Sequence, residues 1–553
     1  MRTSLRVCSL LTLAGSAGIF LGTPNPAVHL PLIMLFYPAA LYLAARTGAP
    51  FRTGWIVGIP GAAAALYWIA VAAHMYGNFS WLLAAPCSIL LGMYVALWGG
   101  FFSWIVARLG ALAPWRRCAA AGALWFLLEW TRGWFGTGFS WLTLSSGLAA
   151  WPALIQPLSA LGEYGFSGLL AAAACFACEG AFPSSSARRT TPLVFAALIV
   201  GLSALFGVWR LSVMPDELAD RGSPVTFTLV QGSVRQDVKW SPEYQRHTLE
   251  RYMRLSVDGV RDAVNGLAGA SSARPQASQL ALFMGRTNSP GDVTTAPAIP
   301  DMLLWPETAM PFAYPSGPLS EKLRSFVRDM GVPLLFGAPG VERRPGGTVL
   351  YNRAVLLTPK GDEVHYDKEH LVPFGEYLPP VLDWKLFESL LQGLGGFEPG
   401  TQEHLFSLTP QGRKTMDMGM LICYEAIFPE LARERVAHGA ELLLNISNDA
   451  WYDYTSAPMQ HLQLSLMRAV EQGRYVVRAT NSGITAVLDP LGGVHAMGSE
   501  ADGYALFAAG SLTGTALALR GHTLYFYLHP WLPAAGFALF LFLVLPALRR
   551  GRK

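Results

Sequence analysis

The sequence predicts an α/β domain inserted into an all-α, multi-span membrane domain. Of its 553 residues, 52% are hydrophobic and only 14% are charged, a balance that is typical of membrane proteins. The apolar residues form long runs towards both ends, whereas residues 225–517 alternate between shorter strand-like and helix-like runs. The formal net charge of +4, without a basic run, argues against a nucleic-acid-binding protein.

Eight apolar runs are long enough to cross a bilayer, which takes about 20 apolar residues per helix. They lie at residues 5–22, 27–45, 54–74, 84–107, 117–135, 162–181, 190–210 and 525–547. Arginines precede the first run, follow the last and occupy every second connection between the first seven, whereas the alternate connections carry almost none. Because positively charged loops stay in the cytoplasm, both termini are predicted to be cytoplasmic.

This topology divides the chain into a membrane domain (1–213) with seven spans, an external domain (220–517) and a last span (524–548). The first run also resembles a signal peptide, but its cleavage would break the alternation of charged loops. We therefore expect it to remain as an uncleaved helix.

Three features of the membrane half do not follow from the pattern of spans. Residues 136–160 are apolar but interrupted by glycine and proline, which predicts a re-entrant or interfacial segment on the outer side. Glu129 and Arg132 share one helical face and form either a structural clamp or a functional intramembrane pair. Cys175 and Cys178 have CxxC spacing in an alanine-rich helix, where small residues are expected to pack between helices.

The external domain alternates strands and helices, which predicts sheets covered by helices. We expect strands at 225–231, 302–305, 333–337, 348–357, 363–366, 417–422, 441–446, 475–479 and 485–488, and helices at 243–264, 320–330, 427–438 and 459–472. Residues 266–300 are rich in Ala, Ser, Gly, Pro and Thr and predict a flexible insertion. Residues 378–397 carry an apolar face, which fits either an arm in the outer leaflet or an ordinary core helix.

Three reactive side chains stand where strand-like runs end. Cys423 is the only cysteine between Leu211 and Arg520, and Glu307 and Lys368 follow two other runs. Transfer of an acyl group through a cysteine needs a base for the thiol proton, a nucleophile at an exposed turn and donors for the oxyanion. Singly, these residues could be a solvated loop carboxylate, a surface lysine and a core cysteine. Together they indicate covalent acyl chemistry on Cys423.

The order Glu, Lys, Cys at three strand ends resembles the nitrilase, or carbon–nitrogen hydrolase, superfamily. Longer motifs resemble its apolipoprotein N-acyltransferase family, whose members share this order of spans, external domain and last span. These motifs are Trp305-Pro-Glu-Thr-Ala-Met-Pro311, Tyr366-Asp-Lys-Glu-His-Leu-Val-Pro-Phe-Gly-Glu-Tyr-Leu-Pro379, Cys423-Tyr-Glu425, Asn445-Ile-Ser-Asn-Asp-Ala-Trp451 and Arg478-Ala-Thr-Asn-Ser-Gly-Ile484. The resemblance implies a nitrilase-like α-β-β-α sandwich in the periplasm, anchored in the bacterial inner membrane.

The resemblance also implies roles for individual residues. Glu307 is then the base, Lys368 the oxyanion stabiliser and Cys423 the nucleophile. The supporting acidic residues are Glu376 and Glu425, and the lipid-contacting residues are Trp240 and Tyr424, although Trp240 also fits a plain surface or core aromatic residue.

Two departures from the family pattern concern loop geometry and lipid preference. Tyr452-Asp453 stands where the family usually has an aromatic residue and glycine, and Ala457-Pro458-Met459 stands where it usually has Gly-Pro.

The implied reaction moves an acyl chain from a membrane phospholipid, through a cysteine thioester, to the N-terminal amino group of diacylglyceryl-cysteine on an apolipoprotein. It requires no cofactor, and we expect no metal, because His370 fits a packing role and His461 stands alone on a helix. We expect a monomer, since nothing in the sequence demands a partner chain. Two alternatives remain: a membrane-anchored amidase, and a sensor or scaffold with an inactive nitrilase-like domain.

Overall fold

A computed structural model describes most of the chain. The described residues are 5–184, 190–265, 299–345, 347–377, 396–401, 405–410, 412–499, 503–504 and 506–550. Most of the predicted flexible insertion at 266–300 and most of the apolar segment at 378–397 lie outside the described residues.

A helix lies in each of the eight predicted spans. The helices of this half are α1 Leu5–Gly22, α2 Phe36–Ala44, α3 Pro50–Ala65, α4 Trp68–Met75, α5 Trp81–Arg108, α6 Pro114–Trp134, α7 Pro152–Ile155, α8 Leu158–Ala181 and α9 Thr190–Arg221. Near the C-terminus follow α15 Leu524–Leu528 and α16 Leu532–Arg550.

Among the described helices, four are long and apolar enough to cross a membrane: α1, α5, α8 and α9. A fifth is obtained if α3 and α4, which are bent by 52° relative to each other, form one broken span. The apolar helices at Pro31–Ala44 and Leu532–Leu545 are shorter. The membrane character is therefore confirmed, whereas the count of eight spans is not.

The segment after α6 packs inside the molecule. Residues 136–151 form turns and a short 3₁₀ helix (Ser146–Leu148), and most of them are buried. Glu129 and Arg132 bind the backbone of this segment: the Leu144 N–H donates to Glu129 Oε1 (2.9 Å), and Arg132 Nη2 donates to the Trp141 carbonyl (3.1 Å). The pair thus has the geometry of a structural clamp.

The α/β domain (220–517) contains every strand and helix predicted for it, together with strands that the pattern did not show. Its strands are β1 Ser223–Gln231, β2 Met302–Leu304, β3 Leu334–Arg344, β4 Gly347–Leu357, β5 Glu363–Asp367, β6 Leu405–Leu408, β7 Met416–Ile422, β8 Leu442–Ser447, β9 Val476–Thr480, β10 Ala486–Leu488, β11 Val494–Ala496, β12 Gly498–Ser499, β13 Gly503–Tyr504 and β14 Gly510–Ala518. Its helices are α10 Gln236–Lys239, α11 Pro242–Val264, α12 Pro318–Met330, α13 Pro429–Ala437 and α14 Ala457–Gln472.

Within the described residues these strands form two six-stranded sheets and a small hairpin. One sheet has the order β14-β1-β2-β3-β4-β5 and the other β11-β10-β9-β8-β7-β6. In each sheet three neighbouring strands are parallel (β1, β2 and β3; β7, β8 and β9), and the outer strands pair antiparallel.

The two sheets face each other across a shared apolar core, to which Phe227 and Leu304 contribute from one sheet and Met420 and Val477 from the other. Helices α11 and α12 cover the first sheet and α13 and α14 the second. This is the predicted α-β-β-α sandwich. Because the carboxyl ends of parallel strands meet at one edge of a sheet, the loops after β2, β7 and β8 share one end of the sandwich.

A buried ionic cluster joins the α/β domain to the helices of the membrane half. It is here called the junction cluster and is formed by Glu163 of α8 and by Arg468 and Glu471 of α14. Arg468 Nη2 lies 2.6 Å from Glu163 Oε2, and its Nε lies 2.8 Å from Glu471 Oε2. All three side chains are inaccessible to solvent. Buried charges are costly unless they are paired, so the contacts of Arg468 with both carboxyl groups fix how the two halves dock.

Candidate active site

Cys423 begins a sharp turn at the carboxyl end of β7. It is the first residue of a 3₁₀ helix (Cys423–Ile427) and adopts φ +50°, a left-handed conformation that side-chain-bearing residues rarely adopt. The Ile422 N–H donates to Glu425 Oε2 (2.6 Å), which closes the turn. Cys423 is only 6% exposed, and this burial, together with the nearby Glu307 carboxyl group, raises the pKa of the thiol. The thiol therefore needs a base to become a nucleophile at neutral pH.

Lys368 follows β5 and is held by the carboxylate of Glu376. Its Nζ lies 2.9 and 2.8 Å from the two oxygens of that carboxylate, and the side chain is fully buried. Burial alone would lower the pKa of Lys368, but Glu376, Glu307 and Cys423 raise it further than burial lowers it. Lys368 is therefore a fixed positive charge.

Glu307 lies three residues beyond Leu304, the last residue of β2. Its Oε1 lies 3.8 Å from Lys368 Nζ and accepts a hydrogen bond from Asn352 Nδ2 (2.6 Å). The same Asn352 amide donates to Glu376 Oε1 (2.6 Å), so it holds both carboxylates at a fixed separation. Burial raises the pKa of Glu307, although Lys368 opposes this effect. A carboxyl group with a raised pKa is a stronger base once it has ionised.

Glu425 binds the backbone beside Lys368. Its Oε1 accepts hydrogen bonds from the N–H groups of Glu369 (2.8 Å) and His370 (3.1 Å) and from the Tyr366 hydroxyl (2.8 Å). Burial raises the pKa of Glu425. This side chain therefore ties the lysine loop to the cysteine turn, whereas Glu376 holds the lysine directly.

The two predicted lipid contacts lie in different surroundings. Tyr424 is buried, its hydroxyl donates to the Gly138 carbonyl of the membrane half (3.3 Å), and its ring packs against His370 and Phe428. Trp240, at the end of α10, is 43% exposed.

Two buried residues beside Glu307 were missed by the sequence analysis. Lys239, one residue before Trp240, donates from Nζ to Thr308 Oγ1 (2.6 Å). Burial, opposed by Glu307, lowers the pKa of Lys239 to about 7. A lysine in a polar stretch gives no signal of burial, whereas Asn352 inside the apolar β4 is a polar residue in a core strand that could have been noticed.

The prediction that His461 stands alone on its helix is wrong. Donor atoms of Cys423, Asp449 and His461 lie within 4.8 Å of one another, and all three residues are buried. The spacing resembles a metal site, but Arg478 Nη2 lies 2.8 Å from Asp449 Oδ2 and 3.1 Å from His461 Nδ1. A guanidinium bound to two of the three donors opposes a divalent cation, so these residues fit a hydrogen-bond network better than a metal centre.

Comparison with known proteins supplies the family. Residues 230–507 match the carbon–nitrogen hydrolase family model, and residues 17–176 match the model of the apolipoprotein N-acyltransferase N-terminal domain. The chain is 32% identical to the apolipoprotein N-acyltransferase of Geobacter metallireducens over 88% of its own length and 86% of that protein. It is also 32% identical to the enzyme of that name from Chromobacterium violaceum, over 98% of this chain and 100% of that one.

Solved structures that resemble the chain include an amidase from Nesterenkonia sp., with 20% identity and a TM-score of 0.33 over 56% of this chain and 94% of that one. The carbon–nitrogen hydrolase match agrees with the nitrilase-like sandwich described above. From the identity and coverage of its relatives, the chain belongs to the apolipoprotein N-acyltransferase family.

Proposed function

We propose that Cys423 carries an acyl chain as a thioester between a membrane phospholipid and the N-terminal amino group of a diacylglyceryl-cysteine. The chain is an acyltransferase that N-acylates lipoproteins, and its family implies phospholipid and lipoprotein substrates. The observation that carries the proposal is a carboxylate, a cation and a thiol gathered after β2, β5 and β7.

In the first step Glu307 takes the thiol proton as Sγ attacks the ester carbonyl carbon of the phospholipid. The negative charge that develops on the carbonyl oxygen is stabilised by Lys368 and by the backbone N–H that follows Cys423. When the tetrahedral intermediate collapses, the ester C–O bond breaks, and the lysophospholipid leaves with the proton from Glu307. The raised pKa of Glu307 supports this role, because the carboxyl group must both accept and return a proton.

In the second step the α-amino group of the apolipoprotein attacks the thioester carbonyl. Glu307 accepts a proton from the amine, and the C–S bond breaks as the amide forms. The Cys423 thiolate then recovers its proton from Glu307, which restores the enzyme. Each step uses the same base and the same cation, so neither step requires a metal or a nucleotide.

The remaining predicted residues support this chemistry. Glu376 holds Lys368 as a cation, Glu425 holds the loop that carries it, and Tyr424 and Trp240 contact lipid. The proposal for Tyr424 is supported by its bond to Gly138 of the membrane half, which brings the residue after the nucleophile against the membrane helices.

We also propose a location for the enzyme. Its membrane domain (1–213) and last span (524–548) would cross the bacterial inner membrane eight times in a monomer, with both termini in the cytoplasm and the catalytic domain (220–517) in the periplasm. The distribution of arginines supports this orientation.

The mechanism is tested by incubating the purified protein with phospholipid alone. Mass spectrometry of peptides is expected to find an acyl adduct on Cys423 that hydroxylamine removes, and a diacylated lipopeptide is expected to take up the acyl chain. Cys423→Ala should abolish both, whereas Cys87→Ala, which removes a partly buried cysteine of α5, should change neither. Transfer to water in preference to the lipopeptide would favour the amidase alternative.

The orientation is tested with a maleimide that does not cross the inner membrane. Cysteine replaces Ser80, before α5, or Ala111, between α5 and α6, both of which are exposed. The periplasmic orientation predicts labelling at position 80 and protection at position 111, and the reverse result would contradict it.

A further inference from the structure

The backbone of the nucleophile is bound by a side chain from outside its own turn. His461, on α14, places Nε2 3.0 Å from the carbonyl oxygen of Cys423. Its Nδ1 lies 3.1 Å from both Asp449 Oδ1 and Arg478 Nη2. Asp449, His461 and Arg478 are here called the elbow network, and their side chains are at most 1% exposed.

The proton on Nε2 is fixed by its partner. A carbonyl oxygen can only accept a hydrogen bond, so His461 must carry a proton on Nε2. If the ring is neutral, Nδ1 accepts from Arg478; if it is charged, Nδ1–H donates to Asp449. The bond to Cys423 is therefore present in either state of the ring. Burial and the Arg478 guanidinium lower the pKa of His461, which favours the neutral ring.

The rest of the elbow network is equally constrained. Ser447 Oγ donates to Asp449 Oδ1 (2.8 Å), and Arg478 Nη2 donates to Asp449 Oδ2 (2.8 Å). Arg478 also binds Asn445 of β8, so the network is anchored in two strands of the second sheet. The neighbouring Gln460 accepts from Trp141 Nε1 (2.8 Å) and Trp68 Nε1 (3.1 Å) of the membrane half. The helix that carries His461 is therefore fixed on both sides.

We propose that the elbow network is a positioning device for the reaction of Cys423, in which His461 holds the nucleophile's carbonyl group and so maintains its left-handed backbone. A non-glycine residue in such a conformation persists only where its surroundings impose it. Without the bond to His461, the turn can relax, which would move Sγ away from the carbonyl carbon that it attacks and the following N–H away from the oxyanion that it stabilises. This inference rests on the proposed role of Cys423.

The test compares two substitutions of the same residue. His461→Leu removes the donor, whereas the amide N–H of His461→Gln can still reach the Cys423 carbonyl. For the folded fraction of His461→Leu we expect acyl-adduct formation on Cys423 to slow about 100-fold, the order of effect of an ångström of misplacement, at an unchanged half-saturating phospholipid concentration. His461→Gln should recover most of this loss, and His247→Leu, an exposed histidine of α11, should match the unaltered enzyme.

A folded His461→Leu protein with the unaltered rate would overturn the inference, as would a His461→Gln protein as slow as His461→Leu. Stoichiometric zinc that is lost on substitution would overturn it too, because the histidine would then be a ligand. If His461→Leu does not fold, the test uses the rate at which iodoacetamide alkylates Cys423 in His461→Gln. This rate is expected to lie within about threefold of the unaltered enzyme, and a loss of about 100-fold would contradict the inference. Cys423→Ala in the acyl-adduct assay with phospholipid shows separately whether Cys423 is the acyl carrier.

Discussion

Two buried ionic clusters in this molecule each combine two glutamates with one basic residue, but they differ in their surroundings. The site cluster places Lys368 between Glu376 and Glu307, at 2.8 and 3.8 Å, and the junction cluster places Arg468 between Glu163 and Glu471, at 2.6 and 2.8 Å. Each has two carboxyl groups around one cation, away from solvent. Only the site cluster lies beside a thiol on a left-handed turn.

The choice of cation follows from this difference. The planar guanidinium of Arg468 lies against both carboxyl groups and donates through Nη1 to the Ile427 carbonyl (2.7 Å), so it holds separate parts of the molecule together. Lys368 is a compact charge that is pinned by Glu376 and remains close to Glu307 and Cys423. Buried charge by itself therefore does not identify a reactive site. The neighbouring nucleophile and the geometry of its turn do.

The largest expected effect is a loss in the rate of acyl-adduct formation when the site cluster is altered. Glu307→Gln keeps the size of the side chain but removes the base, so acyl-adduct formation on Cys423 should fall by about 10²- to 10⁴-fold. The thermal unfolding midpoint should change little, because the substitution also removes a buried charge. A single-turnover assay with phospholipid measures the rate. Unaltered acylation by Glu307→Gln would remove the distinction between the two clusters.

A substitution in the junction cluster should lower the free energy of unfolding rather than the rate of acylation. Arg468→Met leaves Glu163 and Glu471 without their cation, which should cost about 3–5 kcal/mol of unfolding free energy, as for other broken buried ion pairs. Protein that remains folded should still form the Cys423 adduct. Thermal unfolding in detergent, paired with the adduct assay on the folded fraction, separates these outcomes.

Glu471→Gln provides the matched control for that substitution. Burial, only partly offset by Arg468, raises the pKa of Glu471 to about 8, so this group already holds a proton at neutral pH. A neutral glutamine should therefore be tolerated far better than the loss of Arg468. If Glu471→Gln is as destabilising as Arg468→Met, Glu471 is ionised in the folded protein and its charge is needed at the junction.

The pH dependence of acylation tests whether Glu307 of the site cluster acts as the base. Glu307 acts as a base only when ionised, and burial raises its pKa above the ordinary value of 4.5. Below that raised pKa the rate should fall about tenfold per pH unit. Lys368 should add no alkaline limb, because its raised pKa keeps it charged. The pH profile of adduct formation checks this, and a profile centred on an ordinary carboxyl pKa would contradict it.

The smallest effect is expected at the exposed edge of the site. Trp240→Ala removes one aromatic contact, which is worth about 0.5–1.5 kcal/mol. The half-saturating phospholipid concentration should therefore rise by no more than about tenfold, with little change in the maximal rate. Trp115→Ala, at an exposed tryptophan that is the second residue of α6, is the control. Equal effects of the two substitutions would show that Trp240 is an ordinary interfacial aromatic residue.

The sequence could predict the strand ends but not what surrounds them. Glu307, Lys368 and Cys423 were identifiable because each follows a strand-like run, and the structure brings all three runs to one end of the sandwich. Lys239, Asp449 and His461 were not, since a buried polar residue gains its meaning from partners far away in sequence. Whether the first three residues are the catalytic ones remains a prediction.

Helix α14 and the membrane spans show two further features that could not be predicted fully from the sequence. The polar side chains of α14 predict an amphipathic helix with a solvent face, yet Gln460, Arg468 and Glu471 are buried because the membrane half packs against that face. The count of eight spans rested on runs of apolar residues. The helix α6 carries Glu129 and Arg132, and the helices at Pro31–Ala44 and Leu532–Leu545 are short, so length and composition alone do not establish these spans.

The role of Cys423 as acyl carrier is tested by the mass of the Cys423 peptide after incubation with phospholipid in the absence of an acceptor. This peptide is expected to gain the mass of one fatty acyl chain, and the added mass should disappear when a diacylated lipopeptide is supplied and becomes triacylated. Acylation of the lipopeptide by a protein that never carries an acyl group on Cys423 would contradict it.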